Sequence, residues 1–276
     1  MLLGIIGLIS LAIAVVVCLL AEGGWLWLLP VSFAGSYIAL FVLYFLYLWL
    51  LAALVDMEKP QEKDSKLYRT TINISVKAAM KILLMKVHTR GLEKLPSGRF
   101  LLVSNHIHDI DPLTLMACFP KSQLAFISKR ENDEKFLVGP LMHKILCQPI
   151  NRENDREALK TILKCVQILK EDKASIAVFP EGYTSLDGLL RPFRPGVFKI
   201  AQKANVPIVV CTVQNTNKPF TNAPKLKRTH AHVHLLAVLP PEQIKGVPTV
   251  QIAEQIYQMM AQDLGPEQVF PRDELK

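Results

Sequence analysis

A histidine and an aspartate five positions apart, His106 and Asp111, directly follow the apolar run 100–103. A neutral imidazole can take the proton of an attacking alcohol near pH 7, and a carboxylate on its other ring nitrogen fixes the tautomer and stabilises the imidazolium. The pair therefore predicts acyl transfer to a hydroxyl. The alternative is structural, because His and Asp at a strand-to-helix junction often only cap the helix.

A second polar turn, residues 179–185, follows the apolar run 175–178. Each run has the pattern of a buried strand, so each turn leaves a strand in the same direction. In an open α/β sheet, ligands bind at the carboxyl ends of the strands. We therefore expect the two turns to meet at one edge of a sheet.

Four sequence blocks resemble the lysophosphatidic acid acyltransferase family, whose members carry His, four residues, then Asp. The blocks are 105–112, 150–152, 179–185 and 206–209, and the resemblance spans residues 87–238. One block is a weak signal, but four in the right order and spacing are a strong one. The resemblance implies acyl transfer from a thioester directly to a glycerolipid hydroxyl, without an acyl-enzyme and without a cofactor.

The resemblance also implies roles for single residues. His106 matches the general base of the family, and Asp111 matches its orienting partner. Arg152 matches the arginine that holds the phosphate of the acceptor, and Glu181 with Gly182 matches the acceptor-binding turn. Residues 206–209 match the apolar strand of the fourth block.

The third block departs from the family pattern Phe-Pro-Glu-Gly-Thr-Arg-Ser, since Tyr183 and Thr184 replace Thr and Arg. A guanidinium makes bidentate, charge-assisted contacts with a phosphate that a hydroxyl cannot reproduce. Either Arg191 or Arg194 supplies the missing charge, or the acceptor is a lysolipid other than lysophosphatidic acid. The residues predicted to bind substrate are Asn105, Arg152, Glu181, Gly182 and Arg194.

Residues 1–55 contain one charged side chain, Glu22, and no Lys or Arg. Segments 2–21 and 23–55 are each long enough to cross a hydrocarbon core, with a turn expected at 22–24. A cleaved signal peptide is less favoured because a positive n-region is absent. The sequence predicts a helical hairpin that spans the cell membrane or lies within one leaflet. Positive charge begins after residue 55, which places the catalytic domain on the cytoplasmic side.

All 32 Lys and Arg and 23 of the 24 Asp and Glu lie beyond residue 55, a formal charge of +9 on that part. A basic domain tethered to a bilayer suits anionic lipids and phosphate-bearing substrates. We expect as partners an acyl-CoA or acyl-ACP donor, a lysophospholipid acceptor and the membrane. A nucleic-acid partner is not expected, since no basic stripe is interleaved with aromatic residues.

The predicted fold class is α/β, a glycerolipid acyltransferase fold with a mixed sheet flanked by helices, preceded by the hydrophobic two-helix anchor. We assign 1–55 to the anchor, 56–86 to a linker and amphipathic helix, and 87–276 to the acyltransferase domain. A helix over 67–85 and another capped by Asp155 are expected. Apolar runs predict strands near 100–104, 124–128, 147–150, 175–179, 208–213 and 233–238.

Two other functions fit some of the same residues. A metal-dependent hydrolase could use His106, His108 and Asp109, since imidazoles and a carboxylate bind zinc or iron. His230 and its neighbours at 232 and 234 share one face of a strand, which a half-exposed edge strand explains without a metal. A lipid-binding module without turnover is the third hypothesis. The five cysteines are widely spaced and form no metal-binding or redox pair.

Overall fold

The computed structural model describes residues 1–21, 26–185 and 187–271. Two N-terminal helices, α1 (Leu2–Leu20) and α2 (Leu28–Ala53), are long and apolar enough to cross a membrane, and 17% of each apolar window is buried. A core helix of a soluble domain would be mostly covered, so these two exposed apolar helices are a candidate membrane anchor. The predicted turn at 22–24 lies outside the described residues.

The part of the chain after the two N-terminal helices is built on a seven-stranded mixed sheet of order β1-β7-β6-β2-β5-β3-β4. Strands β6 and β7 pair antiparallel, and the other pairs are parallel. The strands within the described ranges are β1 (Met85–Arg90), β2 (Leu101–Ser104), β3 (Leu124–Lys129), β4 (Gln148–Ile150), β5 (Ser175–Val178), β6 (Ile208–Gln214) and β7 (Thr229–Leu239).

Helices cover both faces of the sheet and bury one apolar cluster on each. Helices α3, α4 and α5 lie over one cluster, which includes Phe100 and Leu102 of the β2 region. Helices α6, α7, α9 and α10 lie over the other, which includes Leu101 and Val103. Their bounds are α3 (Lys66–Ile82), α4 (Asp111–Cys118), α5 (Val138–Lys144), α6 (Asp155–Lys170), α7 (Lys199–Ala204), α8 (Pro219–Asn222), α9 (Pro241–Ile244) and α10 (Thr249–Leu264).

Helix α3 joins the anchor to the sheet. The Tyr68 hydroxyl donates a 2.9 Å hydrogen bond to the Leu51 carbonyl of α2. The Arg69 guanidinium pairs with Asp64 at 2.7 Å, with both side chains buried, and also donates to the carbonyl of Leu124 at the start of β3. A buried ion pair contributes little by itself, but losing one partner would leave an uncompensated charge. The linker is therefore fixed to the sheet.

Three local predictions were incomplete or wrong. Strand β1 was not predicted, because its alternating Lys, His, Thr and Arg side chains lack an apolar run. Strand β7 is not an edge strand, since it pairs with β1 on one side and β6 on the other. The cap of α6 is Asn154, whose side chain accepts from the N–H groups of Arg156 and Glu157, and Asp155 is the first helical residue.

Candidate active site

The first polar turn leaves the carboxyl end of β2 and enters α4 at Asp111. The Nδ1 atom of His106 lies 2.9 Å from Oδ2 of Asp111, which is fully buried. The same oxygen accepts from the main-chain N–H groups of Ile107 and His108, at 2.7 and 2.8 Å, and the Thr216 hydroxyl donates to the other oxygen. Because the carboxylate only accepts, a neutral His106 ring carries its proton on Nδ1 and presents a lone pair on Nε2.

The ring of His106 is held from two further directions. It stacks on Phe179 with 4.1 Å between ring centroids. Its Nε2 accepts from the hydroxyl of Thr184, with the atoms 3.0 Å apart. Thr184 Oγ1 also lies 3.4 Å from Asp109. The sequence identified Thr184 only as a departure from the family pattern, and its contact with His106 was missed.

The third block is tied to the first through Glu181, which is 1% exposed. Its carboxylate accepts from the main-chain N–H groups of His106 at 2.7 Å and Arg191 at 3.2 Å, and from the Ser185 hydroxyl at 3.2 Å. The Ser185 N–H in turn donates to the His106 carbonyl at 2.8 Å. Both polar turns therefore meet at one edge of the sheet, and Glu181 holds them together from beneath.

Asn105 also lies beneath the first polar turn and is 1% exposed. Its side-chain amide donates to the Val213 carbonyl at 3.0 Å and accepts from the Val213 N–H at 2.8 Å. This pair of bonds fastens the turn to β6. In the structure the Asn105 amide is engaged by main chain, and its predicted contact with substrate stays a prediction.

The two arginines considered for the missing charge have different surroundings. The Arg191 guanidinium pairs with Asp187 at 2.6 Å, lies 2.9 Å from the Ser185 hydroxyl and stacks over the Phe270 ring. Bonding to Asp187 raises the pKa of Arg191. Its charge is therefore already neutralised, which leaves Arg194 for an anionic ligand.

Arg152 and Arg194 lie near each other beside the third block. Burial and the charge of Arg194 lower the pKa of Arg152, and Glu131 opposes this shift only in part. Within the described part of the chain neither arginine forms an ion pair. Gly182 has φ +85°, and a Cβ there would lie 2.8 Å from Nε of Arg194. The glycine lets Arg194 cross the turn, and the two cations form a candidate anion site.

The ligand set expected for a metal-dependent hydrolase is not assembled. Among residues 1–21, 26–185 and 187–271, no group of three or more His, Cys, Asp or Glu side chains is arranged to hold a metal ion. His108 Nδ1 accepts from the Ile110 N–H, and its ring stacks on Phe220. His88 and His230 form a hydrogen bond, with 2.8 Å between Nε2 of His88 and Nδ1 of His230. The hydrolase alternative therefore loses its structural support.

The buried carboxyl of Glu181 predicts a pH-dependent stability. Burial raises the pKa of Glu181 to about 8, from an ordinary 4.5. Between these values the folded chain keeps a proton that the unfolded chain has released, so this contribution to stability falls as pH rises. Glu181→Gln removes the titration. We expect wild type to lose on the order of 3 kcal/mol relative to this variant from about pH 5 to pH 8.

Melting temperatures of both proteins in one detergent, measured across that pH range, test this expectation. The wild-type curve should approach or fall below the variant's curve as pH rises. Parallel curves would mean that Glu181 keeps an ordinary carboxyl pKa in the folded chain.

Comparison with known proteins points to one family. Residues 86–214 match the family model described as Acyltransferase. The chloroplastic 1-acyl-sn-glycerol-3-phosphate acyltransferase BAT2 of Brassica napus is 32% identical over 157 residues, covering 56% of this chain and 45% of that protein. A probable 1-acyl-sn-glycerol-3-phosphate acyltransferase of Mycoplasma pneumoniae is 32% identical over 159 residues, covering 56% and 57%. The chain thus spans about half the length of these relatives.

The crystal structure of the 1-acyl-sn-glycerophosphate acyltransferase from Thermotoga maritima superposes with a TM-score of 0.60. The two chains are 19% identical, and the superposition covers 95% of this chain and 97% of the other. This likeness confirms the predicted fold class. Residues 86–214 therefore resemble the acyltransferase family in sequence, and the chain shares the fold of the Thermotoga maritima enzyme.

Proposed function

We propose that the protein transfers a fatty acyl group from an acyl-CoA or acyl-ACP thioester to the free hydroxyl of 1-acyl-sn-glycerol-3-phosphate, giving phosphatidic acid. The observation that carries this proposal is the His106–Asp111 pair, in which Asp111 holds Nδ1 and Nε2 bonds only to the Thr184 hydroxyl among the described residues. His106 keeps a 14% exposed side chain above a fully buried carboxylate. A base fixed in one tautomer and open to ligand on one side is suited to deprotonate a hydroxyl.

The proposed reaction needs only groups that the chain and the two substrates supply. The acceptor hydroxyl takes over the hydrogen bond that Thr184 makes with His106 Nε2, and gives its proton to that nitrogen. The hydroxyl oxygen attacks the thioester carbonyl, the C–O bond forms and the C–S bond breaks. The departing thiolate takes the proton from His106. Asp111 stabilises the transient imidazolium through Nδ1.

Arg152 and Arg194 are proposed to bind the phosphate of the acceptor. A phosphate between them would neutralise two cations that otherwise repel each other, and charge-assisted bonds to guanidinium are the stronger kind. Arg194 then takes the place of the arginine that Thr184 replaces in the third block. Relatives named as 1-acyl-sn-glycerol-3-phosphate acyltransferases support this acceptor. Tyr183, 41% exposed beside the site, favours a different lysolipid head group as the alternative.

The proposed location is the cell membrane, with the catalytic domain on the cytoplasmic side. The two apolar helices support membrane association, and the basic residues that begin after residue 55 support the orientation. An apolar cavity of about 560 Å³ lies between α2 and the loop after β3, lined by side chains that include Phe45, Trp49 and Phe136. It supports an approach of acyl chains from the side of the anchor.

The experiment that tests the function follows thiol release from acyl-CoA by the detergent-purified chain, with lysophosphatidic acid or lysophosphatidylcholine as acceptor. We expect release to depend on lysophosphatidic acid. Arg194→Met should raise the KM for that acceptor by about 10- to 100-fold, because one charge-assisted contact with phosphate is lost. Arg156→Met, an exposed arginine at the start of α6, is the matched control.

The outcomes separate the reaction from the acceptor. Release with lysophosphatidylcholine but not with lysophosphatidic acid would reject the acceptor and keep acyl transfer. No release with any lysolipid, from either acyl-CoA or acyl-ACP, would reject the proposed reaction. An unchanged KM in Arg194→Met would remove Arg194 from the phosphate site.

A further inference from the structure

The loop between β6 and β7 presents an exposed surface next to the active site. We call residues 218–228 the docking loop. Its apolar side chains Phe220 and Leu226 are 47% and 86% exposed. Its exposed basic residues are Lys218, Lys225, Lys227 and Arg228. Apolar and basic side chains thus share one loop that faces solvent.

No acidic residue balances this charge along the chain. Residues 188–241 contain eight Lys and Arg and no Asp or Glu. Within the described residues, none of the four cations of the docking loop forms an ion pair. A single-sign surface of this kind attracts an anionic partner.

The apolar tip is held in a conformation that leucine does not favour. Leu226 has φ +54°. The left-handed region costs a residue with a side chain about 1–2 kcal/mol. The Leu226 N–H donates to the Ala223 carbonyl at 2.9 Å, and the Lys227 N–H donates to the Asn222 carbonyl at 3.0 Å. Neither burial nor backbone preference explains a leucine here, whereas contact with an apolar medium outside the chain does.

The docking loop also lies at the edge of the sheet that carries the catalytic turn. It follows the carboxyl end of β6, and Phe220 stacks on His108 with 4.8 Å between ring centroids. The anchor reaches the same edge, because Trp49 of α2 contacts Phe136 in the loop after β3. The docking loop and the end of α2 therefore lie at the same edge of the sheet as the two polar turns.

We propose that the docking loop rests on an anionic phospholipid bilayer, with Phe220 and Leu226 in the headgroup layer and the four cations on lipid phosphates. This contact adds to the membrane anchoring in the proposed function and places the site where lipid acceptors emerge. Apolar side chains in a basic segment are typical of interfacial membrane binding. An acidic carrier protein would also be attracted, and the test distinguishes it.

The test uses the full chain in nanodiscs of phosphatidylcholine, with or without phosphatidylglycerol. We expect backbone amides of 219–228 to exchange hydrogen for deuterium more slowly when phosphatidylglycerol is present. The variant Lys225→Glu/Lys227→Glu should lose this protection. Its KM for bilayer-borne lysophosphatidic acid should rise by about 25-fold, because two basic residues are lost and each one near an anionic bilayer changes binding by roughly fivefold. The matched control is Lys160→Glu/Lys164→Glu, which changes two lysines on the exposed face of α6.

Three results would contradict the proposal. The first is equal exchange in both nanodisc types. The second is an equal loss in the control variant. The third is a loss in the docking-loop variant that appears only with acyl-ACP and also in pure phosphatidylcholine, which would assign the loop to the acidic carrier. In each case, retained transfer to a water-soluble short-chain acceptor shows that the proposed reaction itself stands.

Discussion

Replacing His106 by alanine is expected to lower the rate of acyl transfer by about 10²- to 10⁴-fold, the range that a positioned general base contributes. The ring is the base of the proposed reaction, and its Nε2 is the nitrogen that Asp111 does not hold. Among the described residues, only the Thr184 hydroxyl forms a hydrogen bond with that nitrogen. The measurement is acceptor-dependent thiol release from acyl-CoA, compared with wild type at saturating lysophosphatidic acid.

The fold is expected to survive this change. The His106 main-chain groups bind Glu181 and Ser185, and these bonds remain in His106→Ala. The melting temperature of His106→Ala should therefore stay close to that of wild type, although its rate falls. His230→Ala, which removes an exposed imidazole on β7, is the matched control and should keep wild-type activity. If His106→Ala kept most of the wild-type rate, another group would have to be the base.

The sequence predicted those parts of the fold that rest on local apolar patterns. All six predicted strands are present. Four of them, β2, β3, β5 and β6, are buried on both faces and carry nearly unbroken apolar runs, which is the pattern that predicted them. Strand β1 carries polar side chains at an edge, so no run marked it. The mixed character of the sheet depends on the antiparallel pairing of β7 with β6, which only tertiary contacts determine.

In the candidate site, too, contacts between residues near in sequence could be predicted, whereas contacts between distant segments could not. His106 and Asp111 are five positions apart on the same polar turn, so the contact between their side chains could be predicted from the spacing. Thr184 and Thr216 reach them from distant segments, and their contacts depend on how the sheet places loops from β5 and β6. The choice between two arginines likewise required the structure, because Asp187 neutralises only Arg191.

The assignment of Asp111 as the partner of the base leads to the second large effect. In Asp111→Asn, the imidazolium that forms during transfer would lose the buried negative charge that stabilises it. The three N–H donors from His106, Ile107 and His108 all bond to Oδ2, and an amide turned with its NH₂ toward them would also lose the bond that keeps the imidazole proton on Nδ1. In Ser-His-Asp triads the equivalent change lowers kcat by roughly 10⁴-fold through the wrong tautomer. We expect a loss of about 10³- to 10⁴-fold in kcat here.

Two further readouts distinguish this role from a structural one. The KM for lysophosphatidic acid should stay near the wild-type value, because Asp111 is buried beneath the turn and Arg152 and Arg194 keep their charge. Asp109→Asn, an exposed carboxylate two residues away, should leave kcat within a few-fold of wild type. A folded Asp111→Asn protein with wild-type kcat would contradict the assignment. Since a loss of fold would also lower kcat, the rate is compared only after circular dichroism confirms native helix content.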